Sequence, residues 1–330
     1  MMLWPTLALL TAGHAQVPEL EVGPSPLHME VVSAQASFLL HEPAFARATF
    51  TNQGSEPITV MIPWHTRNEL GRPDSFQVTG VDSAGHALPE VGELMSFGGR
   101  IGPTTLDSGE STSGTLILPH WVSFQTPGTH QLSVSAQIYE GLDMQTVLPF
   151  EASFEVHVVP DDAKRMAASL ERTARAWGED DGTARTRMLA WRDPMVVPHL
   201  IDALAQPSQR STALHALGKW PRPEAVTAIA QYKRFGLDGQ PIDLSASDEM
   251  LEQAAASMRH SVAAALAENT HPSAWTELQT MGADPYMAVR LTVLHQAAKR
   301  EDGGPWIERY LSDPDATIRK EAQRYQSERD

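Results

Sequence analysis

The sequence predicts a chain in two parts, a β-rich front half followed by an α-helical back half built from repeated helix pairs. Up to about residue 159, short apolar runs alternate with turn residues at a period of two; beyond residue 161, apolar residues recur at helical spacing. Near the end one motif occurs twice, Asp284-Pro-Tyr-Met-Ala-Val-Arg290 and Asp313-Pro-Asp-Ala-Thr-Ile-Arg319, with the arginines 29 residues apart. Each copy reads as a helix start, with Asp placed to cap free amides, Pro tolerated in the first turn and a β-branched residue opening the apolar face.

Length and charge bound the rest. At 330 residues, with 42% hydrophobic and 20% charged residues, the chain has ordinary globular composition and room for two domains. The net charge of −16 is uneven: residues 1–160 hold 4 basic residues, all Arg, against 16 acidic, while 161–330 hold 21 against 25. A front half without Lys argues against nucleic acid or an anionic membrane as a partner, since both need clustered positive charge. The plainer reading is a solvated acidic surface. There is no Cys, which excludes disulfides and cysteine metal sites.

Residues 1–15 carry a short apolar core followed by Gly13 and Ala15, the pattern of a signal peptide with its cleavage site, so the protein is expected to be periplasmic or secreted. The absence of Lys or Arg before that core leaves open an ordinary apolar N-terminus or a misassigned start. No later stretch reaches the about 20 apolar residues of a membrane span, so no membrane insertion is expected. Residues 16–27 are Pro-rich and read as an extended lead-in.

Residues 28–160 are expected to hold strands at Met29 to Val32, Phe38 to Leu40, Ala44 to Phe50, Ile58 to Ile62, Phe76 to Val81, Thr115 to Leu118, Gln131 to Ile138 and Phe150 to Val159. In the last, Phe150, Ala152, Phe154, Val156 and Val158 face one way and Glu151, Ser153, Glu155 and His157 the other, as in a half-buried strand. Two stacked antiparallel sheets would bury these faces. The order of Ala48-Thr-Phe-Thr-Asn-Gln-Gly-Ser-Glu-Pro-Ile58, Phe76-Gln-Val-Thr-Gly-Val-Asp-Ser-Ala-Gly85, Leu106-Asp-Ser-Gly-Glu110 and Pro127-Gly-Thr-His-Gln-Leu-Ser-Val134 resembles exported bacterial immunoglobulin-like domains, which implies an immunoglobulin-like β-sandwich. It is similar, more weakly, to small β-sandwich proteinase inhibitors. These are turn and core signatures shared by many sandwiches, and they imply fold far better than function.

Gly92 to Thr105, with Gly98-Gly99-Arg100, reads as a long irregular loop, a place for binding or simply a flexible connection. His65 beside Trp64 and His120 beside Trp121 are candidates for an aromatic-flanked ligand site. The 13 His show no His-x-His or His-Glu-x-x-His spacing, so neither a metal nor another cofactor is expected.

In residues 161–330, helices are expected at Lys164 to Trp177, Thr183 to Trp191, Val196 to Leu204, Ser208 to Leu217, Glu224 to Phe235, Asp248 to Ala267, Ser273 to Met281, Tyr286 to Lys299, Pro305 to Leu311 and Ala316 to Gln326. Arg185, Arg210, Arg259, Arg290 and Arg319 mark the second helix of each pair, at spacings of 25, 49, 31 and 29. The pattern resembles the HEAT family of α-solenoids, whose second helices carry an Asp and, six residues later, a basic residue. Asp284/Arg290 and Asp313/Arg319 match, Glu179/Arg185 matches in charge, and Leu204 and Gln253 stand where the acids of two further units would be. The resemblance implies a HEAT-like α-solenoid used for protein contacts, with these pairs capping helices and bridging neighbours. The excess in the 49-residue spacing falls in Gly236 to Leu244, where Asp238, Gln240 and Asp243 form the candidate contact loop.

No catalytic motif is present, and no catalytic residue is assigned. The sequence points to an exported, non-enzymatic adaptor or scaffold that binds a protein partner through the solenoid and its seam with the sandwich. The alternative is a proteinaceous inhibitor of a protease or toxin acting through the sandwich.

Overall fold

A computed structural model of the chain describes residues 25–62, 72–73, 75–91, 95–96, 102–142, 145–179, 182–234 and 248–329. The chain divides after Pro160 into two compact units. The first is made of strands and the second of helices. The expected signal segment, the His65/Trp64 pair, Gly98 to Arg100 and the loop with Asp238, Gln240 and Asp243 lie outside the described residues.

The first unit runs β1 (Leu27–Ser33), β2 (Phe38–Leu39), β3 (Phe45–Asn52), β4 (Ile58–Met61), β5 (Arg72–Pro73), β6 (Phe76–Val81), β7 (Met95–Ser96), β8 (Pro103–Leu106), β9 (Ser111–Ile117), β10 (Gly128–Glu140) and β11 (Thr146–Val159). One sheet has the order β1-β3-β9; another has the order β2-β11-β10-β4-β8, with β6 also on β10; β5 and β7 form a separate pair. β10 and β11 are antiparallel in continuous register from Gly128↔Val158 to Glu140↔Thr146. Along β11 the side chains alternate, with Leu148, Phe150, Phe154, Val156 and Val158 buried and Glu151, Ser153, Glu155 and His157 exposed. That alternation is what lets one face of the strand enter a core while the other stays wet.

The inner faces of the two larger sheets meet at Phe50 of β3. Its ring packs edge-on against Phe150 of β11, with centroids 5.1 Å apart, and lies 6.5 Å from Phe76 of β6. Trp121 is fully buried in the same unit and donates its indole N–H to the Phe76 carbonyl at 3.1 Å. Burying an aromatic or aliphatic side chain of this size contributes up to about 1.5–3 kcal/mol.

Three expectations need correction here. His120 and Trp121 are both buried, so they do not form an accessible ligand site. The stretch expected as irregular up to Thr105 contains β8, whose Thr104 and Thr105 pair with Val60 and Thr59 of β4, the Thr59 and Thr105 hydroxyls lying 2.9 Å apart. β-Branched residues fit a pleated edge, and that outweighs the Gly-Pro before them. Pairing is also not wholly antiparallel: β2 lies parallel to the end of β11, and β5 is parallel to β7.

The second unit contains, among the described residues, ten α-helices: α1 (Ala163–Gly178), α2 (Gly182–Ala190), α3 (Val196–Ala203), α4 (Pro207–Gly218), α5 (Pro223–Ala230), α6 (Asp248–Glu268), α7 (Pro272–Gln279), α8 (Met287–Ala298), α9 (Gly304–Tyr310) and α10 (Ala316–Ser327). α1 begins where the sequence changes period, because the Asp162 carboxylate accepts the Arg165 amide at 2.7 Å. Most helices pack on those one and two places along: α4 on α5 and α6, α6 on α7 and α8, α8 on α9 and α10. Equivalent apolar positions are buried in successive copies, Val289 and Val293 in α8 and Ile318 and Ala322 in α10. α5 is shorter than expected, giving way to turns after Ala230.

Candidate functional site: an arginine ladder between helix pairs

Arg185, Arg210, Arg290 and Arg319 each occupy the fourth position of their helix. The turn before such a helix leaves carbonyls that no helical amide reaches, and an arginine one turn in can lie back across them. Arg290 does this with Nη1, donating to the carbonyls of Asp284 at 2.8 Å and Pro285 at 2.9 Å. Arg319 repeats it on Asp313 at 2.6 Å and Pro314 at 2.9 Å. Arg210 uses Nε on Leu204 at 2.7 Å and Nη2 on Ala205 at 3.5 Å. The sequence spacing of six is therefore a main-chain contact, and it persists at Arg210 although Leu204 carries no acid.

The aspartates do something other than cap. The N-caps of α8 and α10 are Tyr286 and Asp315, and it is Asp315 whose carboxylate accepts from the Thr317 and Ile318 amides. Asp284 and Asp313 lie two residues earlier, each folding its turn by accepting the amide two residues on at 2.8 Å. Proline after the aspartate moves the helix start downstream, so these carboxylates are too far back to cap and are left to meet an arginine of the preceding copy. Arg290 donates Nε and Nη2 to the two oxygens of Asp313 at 2.9 and 3.0 Å. Arg259 donates likewise to Asp284 at 2.8 and 3.4 Å. Both of these Asp–Arg ion pairs thus join one helix pair to the next.

Both bridges are desolvated: the side chains are 6% and 5% exposed at Arg259–Asp284 and 10% and 4% exposed at Arg290–Asp313. The Asp313 carboxylate, hydrogen-bonded to the guanidinium, raises the Arg290 pKa further above its ordinary value, against the opposing effect of burial. Arg259 differs in position, lying eleven residues beyond Asp248 at the start of α6, so no interhelix turn stands behind it. Glu179 lies at the C-cap of α1, where its amide donates to Arg175 and Ala176, and it is exposed. Its charge match with Arg185 does not place it like Asp284 or Asp313.

Three further sets belong to the same periodic frame, and sequence reasoning missed the tyrosines and the histidines among them. Tyr232 donates its hydroxyl to the Leu204 carbonyl at 3.1 Å, and Tyr310 donates to Gly282 at 3.0 Å, each reaching 28 residues back to the turn of the preceding pair. Burial pushes the Tyr310 phenol well above its ordinary pKa, so it remains a donor. His215 and His295 each follow the ladder arginine by five residues, and Lys219 and Lys299 follow it by nine. Trp275 of α7 and Trp306 of α9 meet edge to face with centroids 6.2 Å apart, and the Gln279 amide oxygen, turned toward them, accepts from both indoles at 2.9 and 3.0 Å. Gly282 lies under this cluster, where an added Cβ would come within 2.3 Å of the Trp306 ring. Among the described residues no group of His, Asp and Glu is arranged to hold a metal, and no helix is long and apolar enough to cross a membrane.

No protein-family model and no curated protein sequence matches the chain. Among solved structures, it is similar to a PapD-like domain of human CEP192, at 12% identity and a TM-score of 0.24, covering 47% of this chain and 100% of that one. Another similar structure is the self-complemented fimbrial subunit MyfA of Yersinia enterocolitica, at 16% identity and a TM-score of 0.22, covering 40% and 98%. A third is the alkylpurine DNA glycosylase AlkC of Pseudomonas fluorescens, at 14% identity and a TM-score of 0.22, covering 42% of this chain and 31% of that one. At these scores none of the three carries a fold or an activity over to this chain.

Proposed function

We propose that the protein is an exported, non-enzymatic adaptor or scaffold in which an immunoglobulin-like sandwich precedes a HEAT-like solenoid that binds a protein partner. The observation that supports this reading is the ladder: the motif's conserved-in-copy charges are spent holding helix pairs to one another, at Arg259–Asp284 and Arg290–Asp313. A stack whose units are joined in that way gains an extended surface with each added pair. The acidic front half, with 4 basic residues against 16 acidic, fits a protein partner better than a nucleic acid.

The test is a titration of one partner, identified by pull-down from the exported fraction, against the intact chain, residues 16–160 alone and residues 161–330 alone. Binding that needs the helical residues supports the adaptor. Full affinity in residues 16–160 alone sinks it in favour of the inhibitor acting through the sandwich.

A further inference from the structure

Arg290 and Arg319 are held by the same clamp, Nη1 on the carbonyls six and five residues back, but their outer edges differ. The Nε and Nη2 edge of Arg290 is closed by both oxygens of Asp313. The corresponding edge of Arg319 meets no hydrogen-bond partner among the described residues, and the residue is half-buried. Its guanidinium is nevertheless fixed in the same frame by bonds of 2.6 and 2.9 Å. A planar fork whose rotamer freedom is already spent takes a carboxylate bidentately at little further entropic cost.

The occupied rungs describe what fits. In both, the acid is an aspartate followed by proline, with one oxygen also accepting the amide two residues on at 2.8 Å, so the turn presents both carboxylate oxygens to the fork. The nearest acid of the same turn, Asp315, directs its carboxylate to the Thr317 and Ile318 amides. The outer side of α10 is polar, with Lys320, Gln323 and Arg324 exposed, which suits a surface turn of another polypeptide rather than an apolar helix face. We infer that Arg319 is a docking point for an aspartate presented in an Asp-Pro turn by a partner polypeptide. The inference deepens the protein-binding reading and rests on it.

The probe is the chain's own turn, a peptide of residues 282–287, Gly-Ala-Asp-Pro-Tyr-Met, beside its Asp284→Asn counterpart and acetate. The readout is the arginine Nε–Hε nuclear magnetic resonance spectrum of the full chain, with the Arg319 signal assigned by through-bond correlation to its own backbone and checked by its loss in Arg319→Lys. The aspartate peptide is expected to move the Arg319 signal saturably and leave Arg290 in place, and the asparagine peptide to move neither. No movement at millimolar peptide overturns the proposal, as does equal movement with the asparagine peptide. Acetate acting as strongly as the peptide at the same concentration also overturns it, since the turn would then contribute nothing. The peptide arms use the unaltered chain, so a poorly folding Arg319→Lys does not blunt them. A chain that shifts with the peptide but captures no protein partner keeps this site and loses the adaptor; a captured partner with no peptide shift does the reverse.

Discussion

The two units solve the same problem, satisfying buried backbone, with different chemistry. In the β unit the ladders pair the main chain, and among the described residues the buried polar ones are Asn52, His120 and His130. Its outward hydroxyls pair across strands, Thr49 with Ser113 at 2.9 Å and Thr51 with Ser111 at 2.8 Å. In the helical unit, by contrast, the turns before α4, α8 and α10 leave carbonyls that Arg210, Arg290 and Arg319 cover. Arg290 is in addition desolvated, and the aspartate of the next pair, Asp313, balances its charge. Charge is thus buried in the helical unit where one helix pair meets the next, whereas among the described residues of the β unit no Asp, Glu, Lys or Arg is buried and the main chain is paired strand to strand.

The largest expected effects test that contrast directly. Phe50→Ala should cost about 3–5 kcal/mol by removing the ring between the two sheets. Arg290→Ala should cost a similar ~3–5 kcal/mol, since it strands the buried Asp313 carboxylate and uncovers two carbonyls. Hydrogen exchange of the intact chain in rising urea, read by mass spectrometry in peptides from each unit, measures both. A second substitution separates them further: adding Asp313→Ala to Arg290→Ala should cost less than the two singles combined, with a coupling of roughly 0.5–3 kcal/mol. Strict additivity would mean that the pair contributes no interaction of its own and that the contrast between the units is false.

Arg319→Ala should cost less, about 1–2 kcal/mol, because only the two carbonyl contacts are lost and no buried carboxylate is left behind. A loss as large as that of Arg290→Ala would show that covering the carbonyls, and not pairing with aspartate, carries the ladder's stability.

The order of a β region followed by a helical region was legible because both periods are strong where they change. Phe150 to Val158 alternates without a break, and Asp162 supplies a cap within four residues of the last strand. Helix ends in α7 to α10 fall within two residues of expectation, since Pro and Asp mark their starts. The roles of Asp284 and Asp313 were legible only in part: bridging between neighbours is seen as expected, capping is not, and the partner in each bridge is a different arginine from the one in the same copy. A spacing of six within one copy suggests that the two side chains of that copy pair, whereas the ion pairs run from Arg259 to Asp284 and from Arg290 to Asp313, 25 and 23 residues on. That second spacing was present in the sequence, but only packing decides which of two regular spacings is a contact. Aligning the copies on their arginines would also have revealed His215 with His295. Tyr232 and Tyr310 could have been found only from their shared distance to a preceding turn.

The smallest expected effect is a pH dependence of the helical unit. His215 faces Glu268 and Lys219, its ring 3.7 Å from the Glu268 carboxylate; His295 faces Glu321, Lys299 and Arg324 and packs edge-on to Tyr325. Desolvation lowers both histidine pKa values below the ordinary 6.5, and the facing glutamates only partly oppose it. The unfolded chain therefore binds more protons than the folded one below about pH 6.5, so stability should fall as the pH drops through that value and level off once the folded histidines are protonated too. Urea midpoints of the helical unit at pH 7.5, 6.5 and 5.5 should move down, and the movement should shrink in the His215→Gln, His295→Gln double variant. An undiminished pH dependence in that variant would assign it to other groups. An acid loss of equal size in the β unit would show that the equivalent histidines of α4 and α8 do not set the helical unit apart.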